Sequence, residues 1–269
     1  MNDEDLSQIG SLKQLRFVIL RNSQVTNEGI KHLTGLINLQ ELDLHSTQVQ
    51  DPAVESLLKL KRLETLDLGY TKISPEGLAK LGALVQLREL GLRGTQANDD
   101  TIAAFSGLKN LRVLRASYTK ITDASATTIA KMEDLEELRL AGTDFTDAGV
   151  AQLTGLSKLR KLSLSETKVT DEAIAAINQL PALEDLRLDG TAVTDAGAIA
   201  LLENGKVRNV ILDQTSVSDA ILEYAKEPLY LISAANTRVT ASAAETKASN
   251  TKNLEVYAGV EDAGIIDYE

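Results

Sequence analysis

A threonine recurs along the chain at a fixed interval, and this interval constrains the fold more than any other feature of the sequence. Seven threonines are each 24 residues from the next: Thr47, Thr71, Thr95, Thr119, Thr143, Thr167 and Thr191. A constant period of this length is typical of a solenoid, in which each repeat buries its apolar residues against its neighbours. We therefore expect one elongated array of repeats rather than two globular domains.

Each repeat combines a strand pattern with a helix pattern, as the unit that begins at Leu135 illustrates. Its first part alternates apolar and variable residues with period two, which predicts a short strand with Leu138 and Leu140 in the core. Its second part has apolar residues near the spacing of one helix face: Val150, Leu153 and Leu156. Stacked strands lie about 4.8 Å apart but stacked helices about 8–10 Å apart, so the array must bend. The pattern predicts an α/β solenoid, a right-handed curved horseshoe of about ten parallel strands on the concave face and short helices on the convex face.

Two polar positions of the repeat are interpreted as structural. The recurrent threonine follows the strand, where a row of hydroxyls is expected to pair with backbone groups of neighbouring turns. At the start of each helix, a hydroxyl or carboxylate is expected to accept hydrogen bonds from the free amides of the first turn. The aspartates there form a row that we also consider as a calcium ladder, but no dense Asp/Gly loop supplies the roughly 6–8 oxygens that calcium needs. Capping is therefore the preferred role of Asp99, Asp123, Asp147, Asp171, Asp195 and Asp219.

The frame Leu-x-x-Leu-x-Leu-x-x-Thr-x-Val/Ile-Thr-Asp resembles the leucine-rich repeat family over nearly the whole chain. Threonine occupies the position where asparagine or cysteine usually stands in that family. The second half of the frame is similar to bacterial repeat proteins and to the cysteine-containing repeats of F-box proteins. The resemblance implies a protein-binding scaffold, and it carries over no catalytic residues.

The repeat register predicts a single domain over residues 1–269. Residues 1–14 read as a partial repeat or N-terminal cap, 15–240 as about ten repeats, and 241–269 as an irregular C-terminal cap with a short strand near 254–258. Phe17 and Ile19 occupy variable positions of the first strand, where later repeats carry charge. We expect upstream sequence or a partner to cover this apolar surface.

Composition limits the classes of partner. The formal net charge of −11 argues against sequence-independent binding to nucleic acid or to anionic membranes. No apolar run approaches the roughly 20 residues that span a bilayer, so no membrane insertion is expected. The absence of cysteine excludes disulfides and thiolate chemistry, and it favours the cytoplasm without deciding the compartment.

The sequence contains no pattern that indicates catalysis. His32 and His45 occupy different repeat positions and have no partner motif, and no phosphate-binding glycine loop is present. We therefore predict no enzyme activity and no cofactor or metal. An enzyme would require a cluster of perturbed titratable residues in a concave pocket.

The candidate binding site is the concave face, where variable strand positions are exposed. Arginine and tyrosine, which are frequent in interface hot spots, recur there beside two aspartates. The predicted partner-binding residues are Asp43, Asp67, Tyr70, Arg93, Arg115, Tyr118, Arg139 and Arg187. A second interpretation is that charges on this face form ion pairs between adjacent strands and only keep it soluble.

Two functional hypotheses follow. The first is a non-enzymatic scaffold that binds a protein or peptide of unknown identity on its concave face. The second is a structural or targeting segment of a larger protein whose activity lies elsewhere. From the order of charges along the face, a partner should be basic near Asp43 and Asp67 and acidic near Arg115 and Arg139.

Overall fold

The computed structural model describes residues 1–259, so residues 260–269 of the predicted C-terminal cap lie outside the described residues. The described residues contain eleven strands, which follow one another in the sheet in chain order. Two compact units can be distinguished: unit 1, Met1–Leu138, and unit 2, which begins at Arg139. The predicted architecture of parallel strands alternating with short helices is confirmed, whereas the division of the chain into domains stays a prediction.

Unit 1 begins with helix α1 (Asp3–Ile9), and its last two residues belong to strand β6 (Glu137–Arg139). Its other strands pair in parallel with their neighbours: β1 (Phe17–Ile19), β2 (Glu41–Asp43), β3 (Thr65–Asp67), β4 (Glu89–Gly91) and β5 (Val113–Arg115). The helices between them are α2 (Asn27–His32), α3 (Val54–Leu57), α4 (Pro75–Ala79), α5 (Asp99–Ala104) and α6 (Ala126–Ile129). Short 3₁₀ turns extend them at Leu33–Gly35, Asp51–Ala53, Lys80–Ala83, Phe105–Gly107 and Asp123–Ser125.

Unit 2 continues the same alternation. Its parallel strands are β7 (Lys161–Ser163), β8 (Asp185–Arg187), β9 (Asn209–Ile211), β10 (Leu231–Ala235) and β11 (Glu255–Gly259). Its helices are α7 (Asp147–Ala151), α8 (Ile174–Ile177), α9 (Asp195–Asn204) and α10 (Ala241–Asn250), with 3₁₀ turns at Gln152–Gly155, Asp171–Ala173 and Asp219–Tyr224. Within the predicted irregular cap, residues 241–250 form a ten-residue helix that the sequence did not indicate, and the strand expected near 254–258 is present as β11, which pairs with β10.

The core of each unit consists of the apolar residues of the repeat frame. Leu138 and Leu140 are fully buried, as predicted, and so are Leu153 in the 3₁₀ turn and Leu156, which follows that turn. The central residue of each three-residue strand is buried, while most of the flanking residues are accessible. The period-two pattern therefore identifies the buried side of the strands correctly.

The threonine column forms hydrogen bonds within its own repeat. The Thr47 hydroxyl donates to the Leu44 carbonyl at 2.7 Å, and Thr143 does the same to Leu140 at 2.6 Å. The prediction that these hydroxyls pair with neighbouring turns was wrong, because the carbonyl that needs a donor is three residues earlier in the same turn. Thr215, which the sequence reading did not include, continues the column with a bond to the Leu212 carbonyl.

The aspartate row joins successive repeats. The hydroxyl of Thr194 caps its own helix by accepting from the Ala196 amide, as predicted. Asp171, however, does not cap the turn that it opens: it accepts from the Thr194 amide at 2.8 Å and from the Thr194 hydroxyl at 2.5 Å. The predicted capping role of these carboxylates was therefore wrong, because they accept hydrogen bonds from the next repeat and not from the first turn of their own helix. Equivalent pairs are Asp3–Thr26, Asp99–Thr122, Asp147–Thr170, Asp195–Ser218 and Asp219–Thr240.

Candidate functional site

The candidate site in each unit is the sheet face, defined as the first and third residues of each strand together with the turn that follows. Most side chains here are accessible in both units, in contrast to the buried central strand residues. On β1, Phe17 and Ile19 are 61% and 66% exposed, so the first strand presents apolar surface as predicted. The covering of this surface by other sequence or by a partner stays a prediction.

A left-handed backbone residue immediately precedes each threonine of the column. In most repeats the residue is glycine or a small or polar residue, but Tyr70 and Tyr118 have φ angles of 55° and 56°. A bulky side chain in this conformation costs about 1–2 kcal/mol, because its Cβ crowds the following carbonyl. Two tyrosines are therefore held at positions that disfavour them, and the period alone could not reveal this.

The rings of unit 1 form a row with an arginine. The Arg93 Nε donates to the Tyr70 hydroxyl at 2.9 Å, and its guanidinium carbon lies 5.9 Å from the Tyr70 ring centre and 5.0 Å from that of Tyr118. The His45 ring meets Tyr70 edge to face at 5.2 Å. We call His45, Tyr70, Arg93 and Tyr118 the aromatic row. The predicted residues Tyr70, Arg93 and Tyr118 are thus brought together, whereas His45 was assigned only a surface or spacer role.

Two glycines make room for the aromatic row. A Cβ on Gly94 would lie 2.4 Å from the Tyr70 ring, and a Cβ on Gly69 would lie 2.5 Å from the His45 Nδ1. Gly94 also has a φ angle of 63°. Each ring therefore rests over the backbone of the next repeat, which holds it in one orientation.

The two predicted aspartates are already bound within unit 1. Asp43 pairs with the Arg21 Nε at 3.1 Å and accepts from the His45 amide at 2.9 Å. Asp67 accepts from the Gly69 amide at 2.8 Å and lies 3.6 Å from Arg21 and 3.7 Å from the His45 ring. Arg21 was not among the predicted site residues, although it occupies the same repeat position as His45 and Arg93. These contacts weaken the argument that a partner must be basic near the two aspartates.

Arg115 is also engaged by neighbouring strands. Its Nε lies 3.0 Å from a Glu137 carboxylate oxygen, and its NH1 lies 3.5 Å from Glu89. The guanidinium is about one-third exposed, at 36%, and Glu137 is nearly buried. The predicted carboxylate-binding arginine therefore binds two carboxylates of its own unit.

Two basic side chains on the sheet face of unit 2, Arg187 and Lys161, lie farther from their carboxylate partners. The Arg187 Nε lies 3.6 Å from Asp189, and the Lys161 Nζ lies 3.8 Å from Asp185. Together with Arg139, these residues border a groove of about 610 Å³ over β6 to β11. Arg139 and Arg187 are both predicted site residues.

Charge pairs between adjacent strands are common on and beside the sheet face. Within unit 1, Arg88 pairs with Glu64 at 3.0 Å, and within unit 2, Arg160 pairs with Glu184 at 3.4 Å. Exposed pairs of this kind contribute about 0–1 kcal/mol each. The solubility interpretation therefore explains many of these charges, but it does not explain the aromatic row.

Neither a metal centre nor a membrane span is found in the part of the chain that the structure describes. Across residues 1–259, no three His, Cys, Asp or Glu side chains lie together in a way that could hold a metal ion. None of the helices in that range has the length and apolar character needed to cross a membrane. Among the aspartates of the row, Asp99 has a lowered pKa: burial acts to raise it, but hydrogen bonds from Ser125 and Thr122 outweigh burial.

Comparison with known proteins agrees with this architecture. The sequence profile described as "Leucine-rich repeat region" matches residues 1–147, more than half of the chain, and the chain belongs to this family. A search of curated protein sequences finds no match.

Solved structures from a bacterium share the fold. The chain is similar to an internalin C2 of Listeria monocytogenes, with 25% identity, a TM-score of 0.60, and coverage of 80% of this chain and 84% of that one. It is also similar to an internalin (inlF) of the same organism, with 18% identity, a TM-score of 0.59, and coverage of 97% and 89%.

Proposed function

We propose that this protein is a non-enzymatic scaffold that binds a protein or peptide on its sheet face. The aromatic row of unit 1 is the observation that carries the proposal. Tyr70 and Tyr118 both occupy a strained backbone position, and the two residues are 46% and 39% exposed. The fold imposes this backbone conformation in repeat after repeat, so the exposed ring held in it, rather than the strain itself, is the feature that points to a functional role. Family membership agrees, because leucine-rich repeat proteins commonly bind other proteins.

The aromatic row has the properties of a preformed binding surface. Tyrosine and arginine present large contact areas, and the hydrogen bond and ring contacts of Arg93 fix both rings before a partner arrives. When a partner stacks on these rings, the scaffold therefore loses little conformational entropy. Arg115 on the sheet face of unit 1, and Arg139 and Arg187 on the sheet face of unit 2, are proposed as further charged contacts.

Selection of peptides against the whole chain tests this function. A random peptide library displayed on phage should yield binders whose affinity falls by about tenfold or more in Tyr70→Ala and Tyr118→Ala, the loss expected for a buried aromatic hot spot. The matched control is Ile37→Ala, which removes an apolar side chain of unit 1 that is 62% exposed but lies outside the sheet face. Circular dichroism and thermal unfolding must show that all variants remain folded.

Two outcomes would contradict the proposal. One is that the library yields no peptide that binds the parent protein. The other is that the selected peptides bind the two tyrosine variants as tightly as they bind the parent and Ile37→Ala.

A further inference from the structure

A row of four large and two small side chains crosses the sheet face of unit 2. The third residues of its strands are, in order, Arg139, Ser163, Arg187, Ile211, Ser233 and Tyr257. Strand pairing places each beside the next from Ser163 onward, and a bond from the Leu140 amide to the Ser163 carbonyl places β6 beside β7. All six residues line the groove of about 610 Å³, a volume in the range of ligand sites.

The two serines form the floors of two notches. Ser163 and Ser233 are only 7% and 5% exposed. The Ser163 hydroxyl contacts that of Ser165 at 3.3 Å, and the Ser233 hydroxyl donates to Asp213 at 2.7 Å. Because both hydroxyls already have hydrogen-bond partners within unit 2, neither notch requires a polar ligand group at its floor. The flanking side chains therefore decide what each notch accepts.

The notch at Ser163 is basic. Arg139 and Arg187 flank it, and Lys161 lies on the same strand. Arg187 and Lys161 are 3.6 and 3.8 Å from the nearest carboxylate oxygens, which is longer than a direct hydrogen bond. Both cations can therefore turn towards a ligand carboxylate, and an arginine binds such a group with two parallel hydrogen bonds.

The carboxylates of the groove are more fully satisfied than two of its cations, Arg187 and Lys161. Asp185 accepts from the Asn209 side chain at 2.5 Å, and Asp213 accepts from Ser233 and from the Ala235 amide. Glu255 accepts from the Tyr257 hydroxyl at 3.0 Å. The groove therefore complements an acidic ligand better than a basic one.

The notch at Ser233 is apolar. Ile211 and Tyr257 flank it, and Leu231 and the 48% exposed Tyr230 border it. A leucine-sized or phenylalanine-sized side chain placed there would be removed from water on several sides. Its burial is favourable in proportion to the apolar area covered.

The distance between the notches defines the ligand. They lie on β7 and β10, three strands apart, which is about 14 Å at a strand spacing of about 4.8 Å. In an extended peptide, residues four apart project to the same side and lie about 13 Å apart, whereas residues three or five apart project to opposite sides. We infer that this groove binds an extended partner segment with an Asp or Glu four residues from a large apolar residue. The inference rests on the proposed peptide-binding function but concerns residues that the tyrosine variants do not change.

A series of defined peptides tests the spacing. The probes are fluorescein-labelled, amide-blocked nonapeptides in a Gly/Ser background, with one Asp and one Phe separated by two to six positions, in both chain orders. Fluorescence anisotropy with the full chain should give the tightest binding at a separation of four in one of the two orders. Replacement of Asp by Asn in that peptide should weaken binding about fivefold or more, as expected for one charge-assisted contact.

Protein variants locate the two ends of the peptide. Arg187→Gln should weaken the Asp peptide but not the Asn peptide, and Tyr257→Ala should weaken peptides that carry Phe but not those in which Ala replaces it. The matched control is Arg160→Gln, because Arg160 is 59% exposed, pairs with Glu184 and does not line the groove. Equal affinity at separations of three, four and five would overturn the inference, and so would an equal effect of Arg187→Gln on both peptides.

Binding through the tyrosines of unit 1 can be lost while the spacing preference in unit 2 remains, and the reverse can also occur. Library binders that depend on Tyr70 together with no spacing preference would support the proposed function and reject the groove inference. A spacing maximum that Tyr70→Ala leaves unchanged would support the groove inference and place it apart from the aromatic row.

Discussion

The helix starts and the sheet face of the same repeats use their polar side chains differently. At the helix starts, an aspartate accepts from the next repeat in the same way in both units, as Asp99 with Thr122 and Asp195 with Ser218 show. On the sheet face the contacts of one repeat position change along the chain, from the carboxylate-bound Arg21 to the ring-bound Arg93. Contacts that repeat unchanged are those that stacking requires, so the positions that vary are the ones free to specify a partner.

The largest expected effect separates the two sides of a single strand. Leu162→Ala in β7 should lower the free energy of unfolding by about 2–5 kcal/mol, because Leu162 is 1% exposed and its truncation leaves a cavity. The neighbouring Lys161→Ala should change it by no more than about 0.5 kcal/mol. Urea unfolding followed by circular dichroism measures both, and the opposite ranking would mean that the buried and exposed sides of β7 have been exchanged.

An intermediate effect is expected at the helix starts. Asp99→Ala removes an acceptor for the Thr122 amide, the Thr122 hydroxyl and the Ser125 hydroxyl. Leaving such donors without a partner should cost about 1–3 kcal/mol at neutral pH. The control is Asp100→Ala in the same first turn, because Asp100 is exposed. Equal unfolding free energies for the two variants would show that the aspartate row does not couple successive repeats.

The same variant has a pH signature. The pKa of Asp99 is below its usual value of 3.8, because its hydrogen bonds outweigh the effect of burial. A lowered pKa in the folded state contributes stability above the unfolded-state value, and this contribution is lost as the pH falls through the folded-state pKa. The difference in unfolding free energy between the parent and Asp99→Ala should therefore be constant near neutrality and shrink below about pH 3.8. A difference that grows on acidification would contradict the assignment.

The sequence predicted the repeat period, the strand direction and the buried leucines, because each follows from the types of residue that recur along the chain. It did not predict that Asp171 bonds to Thr194, since that contact depends on how two repeats stack. Nor did it predict that Arg93 lies between two rings, because this requires the left-handed backbone of Tyr70 and the space left by Gly94. Tyr70, Arg93 and Tyr118 were predicted as binding residues of one face, and the 24-residue period explains why their positions lie close together; their role in binding stays a prediction.

The smallest expected effect on stability concerns the aromatic row and separates it most clearly from the helix starts. Tyr118→Gly relieves a left-handed backbone penalty of about 1–2 kcal/mol. The gain is offset by the greater chain entropy of glycine, about 0.5–1 kcal/mol, and by the lost contact with Arg93, about 0.5–1 kcal/mol at an exposed site. The free energy of unfolding should therefore change by no more than about 0.5 kcal/mol.

Gln214→Gly is the matched control for this prediction, because Gln214 is exposed and has a φ angle of 56° at the same repeat position without a ring. It isolates the backbone contribution from the contribution of the ring. If Tyr118→Gly is destabilised by more than about 2 kcal/mol relative to Gln214→Gly, the ring is part of the packing that holds unit 1 together. A second outcome is that the two variants are equally stable while Tyr118→Gly loses peptide binding. The ring is then maintained for recognition, because a strained aromatic side chain that adds no stability has no structural reason to be there.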